Sequence, residues 1–149
     1  MTTDTDTDTD TDDTGTGTRV KELADLFVRF LETNTAPEGL FTDDVFLDLT
    51  VPQWRVQTAG RDEFVAARRR SHPFLGTVPR HRVDATPTGL VLEFEEQWED
   101  EQGGTWYCRE LMRADIRDGA ISEASVYCTG DWDPATRAAH AREVDLLRP

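Results

Sequence analysis

The chain has 149 residues, enough for one sizeable hydrophobic core and too few for two. Its 30 acidic residues outweigh 16 basic ones, and the net charge of -14 repels phosphate backbones, so nucleic acid is not an expected partner. No apolar run approaches the length of a membrane span, and the N-terminus lacks the basic start and apolar stretch of a secretory signal, so the expectation is a cytoplasmic protein away from membranes.

Residues 1–18 alternate Thr and Asp and, after Met1, carry no aliphatic or aromatic side chain, which predicts a disordered acidic tail before a single domain over residues 19–149. Thr18 is placed to cap a helix with apolar residues Val20, Leu23, Ala24, Phe27, Phe30 and Leu31 at three- and four-residue spacing, running to about Asn34. Pro37 and Gly39 break it. Val45 to Trp54 reads as a short strand interrupted at Pro52, and Arg61 to Ser71 as a second helix with a weaker apolar face. Its basic run, Arg68 to Arg70, reads as a solvated helix face. From Val78 to Thr129 four strand-like runs are separated by Pro87-Thr88-Gly89, Gln102-Gly103-Gly104 and Asp118-Gly119, the pattern of an antiparallel meander. Asp133 before Pro134 then predicts a helix to about Leu147. The fold class is α+β.

Side-chain alternation puts Leu90, Leu92, Phe94, Glu96 and Trp98 on one face of a strand, and Trp106, Cys108, Glu110, Met112 and Ala114 on the matching face of the next. A three-residue loop at 102–104 sets Glu96 across from Glu110. A two-residue turn at Asp118-Gly119 sets Glu110 across from Tyr127, with Ile121, Glu123, Ser125 and Thr129 on the same side. A two-residue turn at Pro87-Thr88 turns Ala85, Val83 and His81 inward, with His81 opposite Phe94. Glu96, Glu110, Tyr127 and His81 thus form a polar cluster in an apolar concave face and are the candidate catalytic residues. Two facing carboxyls in poor solvent cannot both ionise easily, so one is expected to titrate high enough for general acid or base work. The alternative is that one or both Glu reach the sheet edge and pair with Arg109 or Arg113.

In this register Cys108 faces inward and Cys128 outward, which argues against a disulfide. Cys108 reads as a small buried thiol rather than a nucleophile. No closely spaced ligand motif supports a metal at His81, Glu96 and Glu110, and neither metal nor cofactor is expected. Trp54, Trp98 and Trp106 read as core or as pocket wall. His72, beside Pro73, reads as a helix-end residue, and His140 as an exposed one.

The order of elements, with LFTDDVFLDL at 40–49, GRDEFVAARR at 60–69, DGAISEASVY at 118–127 and YCTGDWDP at 127–134, resembles the NTF2-like superfamily and within it the SnoaL-like branch, over residues 19–133. The resemblance implies a cone: a curved antiparallel sheet with helices on its concave face around a cavity, in a homodimer formed through the outer sheet face. Such proteins include cofactor-independent cyclases, dehydratases and isomerases, and also members that only bind. In the cyclase and epoxide hydrolase branches an Asp closes the last long strand two residues after a Tyr. Here Thr129 follows Tyr127, which counts against epoxide hydrolysis, and Asp131 substitutes only if the strand end curls inward. Asp48 falls on the short strand that often supplies a cavity residue.

The expected function is a small-molecule pocket for an apolar polyketide-like or terpenoid-like compound, used by a cyclase, dehydratase or isomerase. Asp48, Trp54, Phe94, Trp98, Trp106, Cys108, Met112 and Thr129 would line it. The alternatives are a non-catalytic binding module and a protein-interaction domain whose cavity is filled by side chains. The size of the cavity separates the last from the others.

Overall fold

Helical structure begins before the apolar stripe does. In the computed structural model, which describes residues 13–149, α1 spans Asp13–Thr33. Residues 13–18 are therefore its first turns, and the expected cap at Thr18 lies within it; the rest of the expected tail, residues 1–12, is outside the described residues. The stripe itself is as read, with Val20, Leu23, Ala24, Phe27, Phe30 and Leu31 all buried. Asn34 follows with a left-handed φ of 53° and ends the helix.

The segment around Pro52 is a hairpin rather than one interrupted strand. Strands β1 (Phe41–Val51) and β2 (Trp54–Ala59) pair Val51 with Trp54 across a turn of Pro52 and Gln53, the latter at φ 62°. Then follow α2 (Arg61–Ser71), β3 (Gly76–Ala85), β4 (Gly89–Glu99), β5 (Thr105–Arg117), β6 (Ala120–Cys128) and α3 (Pro134–Glu143). Helix α3 starts as its cap predicts, the Asp133 carboxylate accepting from the Thr136 N–H at 2.7 Å. It stops short of the expected Leu147, which is 97% exposed and has nothing to hold it in a helix.

The six strands form one curved, unclosed sheet in the order β2-β1-β6-β5-β4-β3. The neighbours are antiparallel except β1 and β6, which run parallel, so the sheet is mixed rather than purely antiparallel. Helix α1 packs mainly on β3 and α2 on β1. Between helices and sheet lies an aromatic core in which Phe27, Phe30, Phe41 and Phe64 meet at ring separations of 4.6 to 6.3 Å. Each such ring contributes about 1.5–3 kcal/mol by leaving water.

Register decides which side chains see the concave face. The β3–β4 pairing is as expected, with His81 opposite Phe94 and Val83 opposite Leu92. The β4–β5 pairing differs by two residues: Glu96 lies opposite Cys108, and Glu110 opposite Phe94. The cause is Asp100, whose carboxylate accepts from the N–H groups of Gln102 (2.9 Å) and Gly104 (2.8 Å) and from Trp106 Nε1 (2.8 Å). It gathers residues 100–104 into the loop, so the strands end earlier than the glycine pair suggests. A shift of two keeps every side chain on its expected face.

The β5–β6 pairing departs in a way that does change faces. The turn at Asp118 and Gly119, both with positive φ, pairs Arg117 with Ala120 as expected. A β-bulge then inserts Ser122, so that Ile116 faces Ile121 but Asp115 faces Glu123. Everything after the bulge is inverted. Tyr127 lies opposite Leu111 on the convex face and is 59% exposed; Glu123, Ser125 and Thr129 also turn away; and Cys128, expected outside, faces in opposite Glu110.

Candidate active site

Arg68, read from sequence as part of a solvated run, is the anchor of the site. Its guanidinium grips both oxygens of Glu96, at 2.9 and 2.6 Å, in a pair whose side chains are only 9% and 6% exposed. It also donates to Leu31 O at 2.9 Å and to Asn34 Oδ1 at 3.0 Å, so one side chain ties α2 to α1 and to β4. Asn34 in turn donates to His72 O at 2.7 Å and fixes the end of α2. In the sequence the run of three arginines conceals this role. The helical period reveals it, since it puts Arg68 one turn after buried Phe64.

Glu110 is the second buried carboxyl. It lies where two chambers meet. One, called inner for its aromatic walls, has about 320 Å³ and is lined by Phe27, Phe30, Leu47, Phe64 and Val126 among others; the other, called outer, has about 360 Å³ and is bordered by Pro52, Gly130 and Asp131 at the sheet end. Glu110, His72, Ser71 and Leu49 border both. Donor atoms of His72, Glu96 and Glu110 lie within 4.8 Å of one another, as do those of Cys108, Glu110 and Cys128. Arg68 already occupies Glu96 with positive charge, so the first trio is poorly suited to a cation.

Burial raises Glu110 well above the ordinary carboxylate range, and the nearby Glu96 charge raises it further. Among the described residues no ion pair involves it; its hydrogen-bonding neighbours are thiols, with Cys108 Sγ–H donating to Oε1 at 3.5 Å. Glu96 is also raised by burial, though Arg68 opposes the shift. Desolvation raises Asp131. His72 is pushed down to about 3, by burial and then by the Arg68 charge, and is neutral at neutral pH.

Of the four residues expected to cluster, the structure brings together Glu96 and Glu110. Tyr127 is excluded by the bulge. His81 sits at the α1–β3 border, 4.0 Å from Asp25, and lines neither chamber. His72 takes the place near the carboxyls that had been expected for His81.

The expected lining changes likewise. Asp48 turns to the convex side, held by Arg55 and Gln57, because its neighbours Leu47 and Leu49 face the inner chamber. Trp54 is 71% exposed at the hairpin, and Thr129 accepts from the Arg109 N–H at the sheet end. Phe94 and Met112 are fully buried core rather than chamber wall, Phe94 packing edge-on against Phe27. Trp98 and Trp106 stack at 6.3 Å, and Trp98 supports the His72 ring at 4.9 Å. Cys108 lies buried beside Glu110. Asp131 does line the outer chamber.

No protein-family model matches the sequence, and no curated protein is similar enough to match it. Solved structures do match. A candidate polyketide cyclase from Xanthomonas campestris pv. campestris shares 21% identity over 74% of this chain and 90% of its own, with a TM-score of 0.60. An NTF2-like protein from Anabaena variabilis ATCC 29413 shares 18% over 85% and 97%, with a TM-score of 0.64. A candidate ketosteroid isomerase from Kribbella flavida DSM 17836 shares 15% over 89% and 92%, with a TM-score of 0.56. The six-stranded curved sheet, the helices α1 and α2 on its concave side and these likenesses together establish that the chain has the NTF2-like fold.

Proposed function

We propose that the chain is a cofactor-independent enzyme of the cyclase, dehydratase or isomerase kind, in which Glu110 moves a proton on an apolar polyketide-like or terpenoid-like compound held in the inner chamber. The observation that carries this is Glu110 itself: a buried carboxyl facing an apolar cavity, raised by burial and by Glu96, with no ion-pair partner among the described residues. A carboxyl raised in this way holds its proton more tightly than an exposed one, so it can donate to a substrate oxygen as the acid and, once ionised, accept from carbon as a strong base. Glu96 is tied to Arg68 and supplies the field that keeps Glu110 high; neutral His72 is placed to orient a polar substituent. The named neighbours, a candidate polyketide cyclase and a candidate ketosteroid isomerase, are in keeping with this chemistry. An open inner chamber of about 320 Å³ speaks against a cavity filled by side chains.

The test is proton exchange. A panel of apolar cyclic ketones in heavy water, followed by NMR, should show protein-dependent deuterium uptake next to the carbonyl. Glu110→Gln should lower that rate at least about 100-fold while binding persists. Binding without exchange in the wild type, or exchange untouched by the substitution, would demote the chain to a binding module.

A further inference from the structure

The proton-shuttle reading uses neither thiol, yet both face the same junction. The sulfurs of Cys108 and Cys128 and a Glu110 oxygen lie within 4.8 Å of one another. Cys108 is fully buried, whereas Cys128 forms part of the outer chamber wall. The Gly130 N–H donates to Cys128 Sγ at 3.3 Å. The accessible sulfur thus accepts a backbone N–H, a contact that stabilises a thiolate.

We propose that Cys128 is a nucleophile that takes an apolar α,β-unsaturated carbonyl compound by conjugate addition, with the Gly130 amide holding the thiolate and Glu110 supplying the proton. The inference rests on the chambers being a ligand site, but not on turnover. Its ligand class follows from the walls. An apolar frame fits among Phe27, Phe30 and Phe64, and an electrophilic carbon reaching the junction meets Cys128 while its carbonyl lies near Glu110. In the addition the Sγ–Cβ bond forms and the C=C π bond breaks, its electron pair moving to the carbonyl oxygen as an enolate. The α-carbon then takes the Glu110 proton, which water replaces. No group leaves and no oxidant is needed.

Electrostatics divides the two thiols. Cys128 is lowered to about 7, first by the hydrogen bond from Cys108 and also by the Gly130 amide and Glu110, against burial and the Asp131 charge. Cys108 is pushed far up by its bond to Cys128, by burial and by the charges of Glu110 and Glu96. Arg68 of α2 and neutral His72, just past its C-terminus, face the same junction.

The probe is benzylideneacetone, with the full chain, adducts located by peptide mass spectrometry and rates measured from pH 5.5 to 9. The expected result is one adduct, on Cys128, forming with a saturable rate that is half-maximal near pH 7 and about 10-fold above that of N-acetylcysteine at pH 6.5. Cys128→Ser should remove the adduct. Cys108→Ala should slow it about 10-fold and move the profile upward. The wild-type profile alone is decisive if either variant fails to fold. An adduct on Cys108, no adduct, or Cys128 reacting like a free thiol overturns the proposal. If an apolar fluorescent dye still binds the chamber in that sample, the ligand-site reading survives this failure; if it does not bind, both fall.

Discussion

Arg68 and Glu96 show how a buried ion pair depends on completeness. With both present, each charge is compensated and the guanidinium is further satisfied by Leu31 and Asn34. Arg68→Met strands the Glu96 carboxylate and should cost about 3–5 kcal/mol in urea unfolding, whereas Arg68→Met with Glu96→Leu should recover much of that loss. Glu110 has the opposite sign. An acid raised by folding stabilises the fold fully only below its unfolded pKa, and that contribution is lost as pH climbs toward the folded value. Glu110→Gln should therefore match wild-type stability near pH 4 and exceed it increasingly toward pH 7, as followed by thermal melts across that range. Both Glu residues were legible as inward-facing because strand alternation fixes parity. Their environment was not, since Arg68 arrives from a helix 28 residues earlier in the chain and no periodic pattern links the two.

At the scale of elements, loops and a bulge account for what the pattern missed. Hydrophobic alternation predicted β4 and β5 with the right faces, because an even slip leaves the faces unchanged. The side-chain bonds of Asp100 that set the loop length need coordinates to be seen. Ser122 is harder still. The stretch Ile121 to Tyr127 alternates acceptably in either phase, and only the burial of Ala124 and Val126 chooses between them. Deleting Ser122 removes the extra residue and forces a choice: expel Ala124, Val126 and Cys128 from the concave face or strain the Asp118–Gly119 turn. Either should cost about 3 kcal/mol or more, measured by denaturant midpoint.

The molecule as a whole presents two unlike faces. The concave one holds the chambers. The convex one exposes Leu111 and Tyr127 between the ion pairs Arg109–Glu93 and Arg55–Asp48. Apolar side chains flanked by opposite charges suit a self-complementary contact, and we propose a homodimer through this face. Sedimentation at micromolar concentration should give a dimer, and Leu111→Asp a monomer of unchanged melting temperature at low protein concentration. A monomeric wild type would remove the claim. The fold class was readable from the sequence because two helical stripes, a capped third helix and alternating runs occur in an order few architectures accept, but the assembly was not, since half-exposed Leu111 and Tyr127 look the same in a monomer.

The guanidinium that joins α1, α2 and β4 also has a kinetic consequence. Lifting α2 from the cavity would part a buried ion pair and two further hydrogen bonds together, so that wall cannot breathe quickly. Strand β2 is different. It is an edge strand, exposed along nearly its whole length, and its Val56 borders the inner chamber. Traffic into and out of the cavity should pass where β2 peels from β1, and solvent deuterons should replace the amide protons of residues 54–59 well before those of Phe64 to Arg68.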